Sequence, residues 1–273
     1  MRPSAKSRRG HAASRIGARG PGGSAPATNA GRGRHIDRDG AAVNAEREPN
    51  FFLAKPERRL LQAIARRLPH WVLPDDLTAL GVCAGAGICA AYELSNHGHG
   101  WLWAASALLL LHWLGDSLDG TLARVRGIQR PRYGYYLDHL VDAIATALIG
   151  IGLGLSPYML LSVGTGLVIA YLVLSINVYL ESQALGHFSI GYGKIGPTEA
   201  RLLLIALNSA LALGLELRIE LFDTTVTALD MAGAGLALAM IALLAGRVRR
   251  NLRELAKAEP AAPRAARAGR HSP

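Results

Sequence analysis

The sequence predicts an all-α, polytopic membrane helical bundle of about six transmembrane helices, preceded by an amphipathic helix that lies in the membrane interface. Three observations predict it. Half of the 273 residues are hydrophobic and mean hydropathy is +0.20. Apolar runs near the ~20 residues needed to cross a bilayer recur between about residues 76 and 246. Arginines gather at alternate connections between those runs.

Residues 1–48 are rich in Gly, Ala, Ser and Arg, with no acidic residue before Asp37 and no apolar run, so a disordered basic tail is expected. The apolar segment of a secretory signal is missing. An Arg- and Ser-bearing, acid-poor start also resembles a mitochondrial transit peptide, but the composition favours a basic tail on a bacterial protein. Residues 49–73 contain KPERRLLQAIARRLPHW, where Leu60, Leu61, Ile64, Ala65 and Leu68 recur at helical spacing with arginines opposite. Such a helix is too short and too charged to span, and lies in the interface.

Residues 74–250 carry the six expected spans, at roughly 76–95, 101–122, 134–155, 158–180, 198–217 and 224–246, and 251–273 read as a disordered C-terminal tail. Glycines at 81, 85 and 87, at 150, 152 and 154, and at 233 and 235 suit close helix packing, either within a protomer or at a homodimer interface. Cys83 and Cys89, six apart in one span, share no face and read as core thiols. His97 and His99, in an outer connection, read as solvated residues rather than metal ligands.

Basic residues set the expected orientation. Arg58, Arg59, Arg66 and Arg67 precede the first span, and Arg124, Arg126, Arg130 and Arg132 follow the second. Lys194 and Arg201 flank the connection from fourth to fifth, and Arg247, Arg249 and Arg250 follow the sixth; Arg218 is the exception on the other side. By the positive-inside rule both termini face the cytoplasm, with a bacterial cytoplasmic membrane expected and a mitochondrial inner membrane the alternative. The net charge of +10 lies largely in the tails and inner connections, which makes anionic lipid headgroups the natural partner. Nucleic acid is a poor fit, because no folded basic surface with interleaved aromatics appears.

Between two apolar segments the chain reads DSLDGTLARVRGIQRPRYGYYLDHLVD, from Asp116 to Asp142. Carboxylates at membrane depth are costly, and four together point to a site. Asp116 and Asp119 are three apart, Asp138 and Asp142 four apart, so each pair projects from one helix face. Helix capping explains one carboxylate per helix start, not two per face. Two such pairs meeting across a short connection form an all-oxygen pocket suited to Mg²⁺ or Mn²⁺ rather than zinc. Gly120 and Ala123 clear a shallow patch where a flat ligand could lie against backbone, or where another helix could pack. Arg124 adds a fork suited to a phosphate.

The pattern D-x-x-D-G-x-x-A-R, nine residues, G-x-x-x-D-x-x-x-D resembles the signature of the CDP-alcohol phosphotransferases, integral membrane enzymes of phospholipid synthesis. Asp116, Asp119, Gly120, Ala123, Arg124, Gly134, Asp138 and Asp142 meet every signature position. The resemblance implies attack of an alcohol hydroxyl on the β-phosphorus of a CDP-linked donor with release of CMP. It also implies that the four aspartates hold two divalent ions, Mg²⁺ or Mn²⁺, that Asp142 is the general base, and that Gly120, Ala123, Arg124 and Gly134 receive the CDP diphosphate. Pro74-Asp75-Asp76-Leu77-Thr78 resembles the family's P-N-x-L-T step into its first span, with Asp75 in place of the usual Asn.

A second polar cluster, Gly196-Pro197-Thr198-Glu199-Ala200-Arg201, leads into the fifth span. Pro, Thr and Glu there are ordinary helix-start chemistry. Arg201, just inside an apolar helix end, is a candidate for an anionic acceptor or the donor diphosphate. Glu199, Lys194 and His139 are further candidates for the acceptor or phosphate, while Asn177 and Glu181 end the fourth span at the same level, Glu181 reading as a snorkelling side chain. Within the resembled family, Arg201 and the compact six-span length favour phosphatidyl transfer from CDP-diacylglycerol to a small acceptor. Asp138-His139 and the G-P-T-E run are more like CDP-choline or CDP-ethanolamine transfer to diacylglycerol. An intramembrane prenyltransferase would need about nine spans and two separated Asp-rich motifs. A transporter would show repeats or carboxylates spread at mid-bilayer depth.

Overall fold

Helices follow the apolar runs, and their ends follow proline and glycine. The computed structural model describes residues 53–185, 196–215, 218–221 and 224–260. In chain order these form α1 (Ala54–Arg67), α2 (Pro74–Leu94), α3 (Trp101–Arg126), α4 (Pro131–Leu155), α5 (Leu161–Leu185), α6 (Pro197–Ala212), β1 (Arg218–Leu221), β2 (Thr224–Thr227) and α7 (Ala228–Ala258). Proline opens α2, α4 and α6, where its missing N–H has no intrahelical partner to lose. Gly127, at φ 68°, ends α3, and the N–H groups of Gly127 and Ile128 return to the carbonyls of Arg124 and Ala123 at 3.3 and 3.0 Å. Pro131 then starts α4, so the two halves of the aspartate motif lie on adjoining ends of α3 and α4.

The chain is an all-α membrane protein in which α2, α4, α5 and α7 are long and apolar enough to cross a bilayer. Two of the six expected spans differ in character. The 26-residue α3 carries Asp116, Asp119, Arg124 and Arg126 in its second half. With 16 residues, α6 extends about 24 Å, short of the ~30 Å hydrocarbon core.

The expected spans 198–217 and 224–246 are also interrupted. β1 and β2 pair antiparallel, with Arg218 opposite Thr227 and Leu221 opposite Thr224, in a segment where Ile219 and the Thr-Thr-Val-Thr run favour extended backbone. Thr227 then caps α7: its Oγ1 accepts from Asp230 N–H, and Asp230 Oδ2 accepts from Thr227 N–H at 2.8 Å. At the other end α7 runs to Ala258, eight residues past the boundary expected at 250, because RVRRNLRELAKA continues as good helix formers.

The site-bearing helices are set by close backbone contact. A Cβ on Gly115 would lie 2.6 Å from the Leu77 carbonyl oxygen and 2.8 Å from Gly81 N, so α2 and α3 approach at a distance only glycine permits. Gly152 meets Cys89 of α2, Gly164 meets Gly150 across α4 and α5, and Gly233 meets Val163 across α5 and α7. Most of the sequence's glycine pattern therefore packs within one chain; Gly235 faces nothing within 4 Å. On α1, Leu61 and Ala65 are buried against Leu77, Leu118 and Leu122, while Leu60 and, just past the helix, Trp71 remain 51% and 79% exposed. The amphipathic helix is present and is docked on α3.

Candidate active site

The α2–α3 contact at Gly81 and Gly115 places the next turn of each helix together. Thr78, one turn before Gly81, donates its hydroxyl to Asp119 Oδ2 at 2.6 Å, and the other Asp119 oxygen accepts from Gly120 N–H. Asp116 faces α6, where Arg201 donates to its Oδ2 at 2.7 Å; both side chains are largely buried, 18% and 13% exposed. On α4, His139 Nδ1 lies 2.8 Å from the Tyr135 carbonyl oxygen and so donates to it, making Nε2 the acceptor of the neutral ring. The ring stacks between Tyr135 and Tyr179, at centroid distances of 4.1 and 5.1 Å, beside Asp138.

Thr78, Asp116, Asp119, Tyr135, Asp138 and His139 line a cavity of about 740 Å³ at one end of α2, α3 and α4, while Arg201 stands behind Asp116 and does not line it. Asp116, Asp119, Gly120, Ala123, Arg124, Gly134, Asp138 and His139 all line it, although the motif's halves come from two helices and a turn. A Cβ on Gly134 would meet nothing within 4 Å and would project into open space. Arg124 folds over Gly120, where a Cβ would come 3.4 Å from Nη1, and bonds Thr121 Oγ1 at 3.0 Å. At the rim Asp75 pairs with Arg130, whose guanidinium stacks on Tyr133. Asp75 thus serves the mouth of the cavity through its charge, which Asn would lack.

The family model for CDP-alcohol phosphatidyltransferases matches residues 71–247, from the last turn before α2 to the end of the α7 apolar stretch. The chain belongs to this family. Its members are transferases of substituted phosphate groups that act in phospholipid synthesis at membranes. The chain is also similar to a phosphatidylinositol phosphate synthase of Cutibacterium acnes, 37% identical over 84 residues, which is 31% of this chain and 38% of that protein's length.

As a member of the CDP-alcohol phosphatidyltransferase family, the chain departs from the sequence expectation at several side chains. Asp142, one turn beyond Asp138, lies within electrostatic range of Asp116, Asp138 and Arg201. It does not line the polar cavity but a second one of about 190 Å³ between α4 and α5, walled by Ala143, Tyr171, Leu172, Ser175, Ile176 and Tyr179. Glu199, a candidate for the acceptor or phosphate, has both oxygens engaged: they accept from Gly196 N–H and Leu53 N–H at 3.0 and 3.1 Å, capping α6 and holding α1. Glu181 does not snorkel: it is buried and accepts from Arg247 and Arg250 of α7 at 3.3 and 3.4 Å. Lys194 lies outside the described residues.

Two contributions went unread in the sequence. His112, one turn before Asp116, is 2% exposed, and neither ring nitrogen has a hydrogen-bond partner among the described residues. Its signal is a lone histidine in LLLLHWLGD. Glu57 of α1 is the other, and only its partners reveal it.

The all-carboxylate donor set fits a hard divalent ion by chemistry. Among the described residues, no three His, Cys, Asp or Glu side chains stand close enough to enclose one. Asp116 is turned onto Arg201, and Asp119 onto Thr78 and Gly120.

Proposed function

We propose that this chain transfers a phosphatidyl group from a CDP-linked diacylglycerol to an alcohol acceptor and releases CMP. The observation that carries the reading is the single cavity onto which three motif aspartates, Gly120, Ala123, Arg124 and Gly134 all open. The family and the phosphatidylinositol phosphate synthase relative support it. The acceptor hydroxyl forms a bond to the β-phosphorus, the bond from that phosphorus to the bridging oxygen breaks, and CMP leaves with the bridging oxygen.

Asp116, Asp119, Asp138 and Asp142 would hold two Mg²⁺ or Mn²⁺ ions. Such ions would supply positive charge to offset that of the diphosphate. Asp142 takes the proton of the attacking hydroxyl. Gly120 and Gly134 leave room for the donor to lie against backbone, and Arg124 offers its fork to the diphosphate. Arg201, fixed beside Asp116, receives an anionic group on the acceptor or the donor diphosphate. The donor's apolar part is drawn to the bilayer side. By the positive-inside rule the site faces the cytoplasm, where a CDP headgroup is available, in a bacterial cytoplasmic membrane.

A second reading, CDP-choline- or CDP-ethanolamine-type transfer to diacylglycerol, is favoured by one observation. Asp142 opens onto an apolar cavity whose Ile176 is 53% exposed, a place where a lipid hydroxyl could arrive. CMP release by purified protein with Mg²⁺, given CDP-diacylglycerol and a panel of polar alcohols or CDP-choline and diacylglycerol, separates the two. Acceptor-dependent CMP from CDP-diacylglycerol is expected. CMP only from CDP-choline with diacylglycerol would replace the first reading by the second.

A further inference from the structure

Glu57 lies outside the cavity, yet its carboxylate joins the two helices that build the Arg201–Asp116 pair. Glu57 Oε1 accepts from Trp113 Nε1 of α3 and from Thr198 Oγ1 of α6, each at 2.8 Å. Trp113 stands three residues before Asp116, and Thr198 three before Arg201. On each helix the bridge therefore sits one turn from the ion pair. The adjoining backbone repeats the tie, since Leu53 N–H donates to Glu199 Oε1.

We propose that Glu57 is a positioning residue for the active site, bridging α3 and α6 so that Arg201 is held at Asp116. The proposal rests on the reading that this ion pair belongs to the site of transfer. A carboxylate that accepts two hydrogen bonds at once fixes the spacing of both donors more strongly than neutral partners would. Without it, Thr198 and Trp113 share no acceptor, and the first turn of α6 keeps only the Leu53–Glu199 tie to α1. A shift of about 1 Å in a group that orients substrate costs up to ~100-fold in rate.

The test is steady-state kinetics of the full chain in detergent, with the donor and acceptor that support CMP release, for wild type, Arg201→Ala, Glu57→Ala, Glu57→Gln, Thr198→Val and the Glu57→Ala/Arg201→Ala double variant. Glu57→Ala is expected to raise, by on the order of ten-fold, the KM of the same substrate whose KM rises in Arg201→Ala, with a smaller change in kcat. Glu57→Gln, whose amide oxygen still accepts both bonds, restores most of that loss. In the Arg201→Ala background Glu57→Ala adds nothing, because both changes remove one function. Thr198→Val breaks one arm of the bridge, gives a smaller shift of the same kind, and carries the test if Glu57→Ala does not fold. A wild-type KM in both Glu57→Ala and Thr198→Val beside an impaired Arg201→Ala would overturn the positioning role alone. Equal losses from Glu57→Ala in both backgrounds would reduce Glu57 to a stabiliser of the fold. A kinetically silent Arg201→Ala would remove the reading of the ion pair and the proposal with it.

Discussion

Asp119 and Gly134 both line the polar cavity but do different things. Both Asp119 oxygens are engaged by neighbours, Thr78 and Gly120, so its carboxylate is held in place before any ligand arrives. Gly134 contributes by absence, and the contrast with Gly115 is testable. Gly134→Leu is expected to keep or slightly raise Tm, since leucine is the better helix former and nothing obstructs it, while donor affinity falls about ten-fold or more. Thermal unfolding and equilibrium binding of the CDP-linked donor check both halves; unchanged affinity would detach Gly134 from the donor site. The residue types of this site were legible because the chemistry repeats at fixed intervals along 27 residues of one helix–turn–helix. Glu57 and Glu181 were not, because their roles are set by partners 56 to 141 positions away, which no local spacing encodes; the helix-start reading of Glu199 holds in its bond from Gly196 N–H, and only its tie to Leu53 was hidden.

At the scale of elements, the Gly81–Gly115 contact decides whether α2 delivers Thr78 to Asp119. Gly115→Ala would place a methyl group against backbone atoms of α2 at 2.6 to 3.0 Å, which cannot be relieved by a side-chain rotation. A loss of roughly 1–3 kcal/mol of stability is expected, with activity falling alongside; a variant with wild-type Tm and turnover would show that the helices do not need this approach. The buried Tyr92–Asn208–Ser106 chain ties the short α6 to α2 and α3 in the same way. Asn208→Leu leaves the Tyr92 hydroxyl unpaired and should destabilise by about 1–3 kcal/mol, read as a lowered Tm, without altering KM. Hydropathy found the helices because bilayer crossing demands length and apolarity. It overlooked the β1–β2 hairpin, whose Thr-Thr-Val-Thr run is apolar enough to pass as the start of a span, and it stopped α7 early because charge there marks departure from lipid rather than the end of a helix.

At the scale of the molecule, the described residues form a set of membrane helices with a polar cavity where the aspartates lie and an apolar cavity between α4 and α5. The α4–α5 seam is tight at Gly150 and Gly164 and opens near Asp142, so a polar and an apolar wall adjoin at the aspartates. Orientation is open to direct labelling. In a Cys83→Ala/Cys89→Ala background, a cysteine at Gln129 should react with an impermeant reagent only from the cytoplasmic face, and one at Gly98 only from the opposite face; the reverse pattern would contradict the positive-inside assignment. The central claim, that the aspartate cavity transfers a phosphatidyl group with Asp142 as base, is tested most directly by acceptor-dependent CMP release from CDP-diacylglycerol in Mg²⁺, measured side by side for wild type and Asp142→Asn. The account predicts turnover in wild type, and loss of turnover with donor binding largely spared in Asp142→Asn. Turnover in a folded Asp142→Asn variant at the wild-type rate would contradict it.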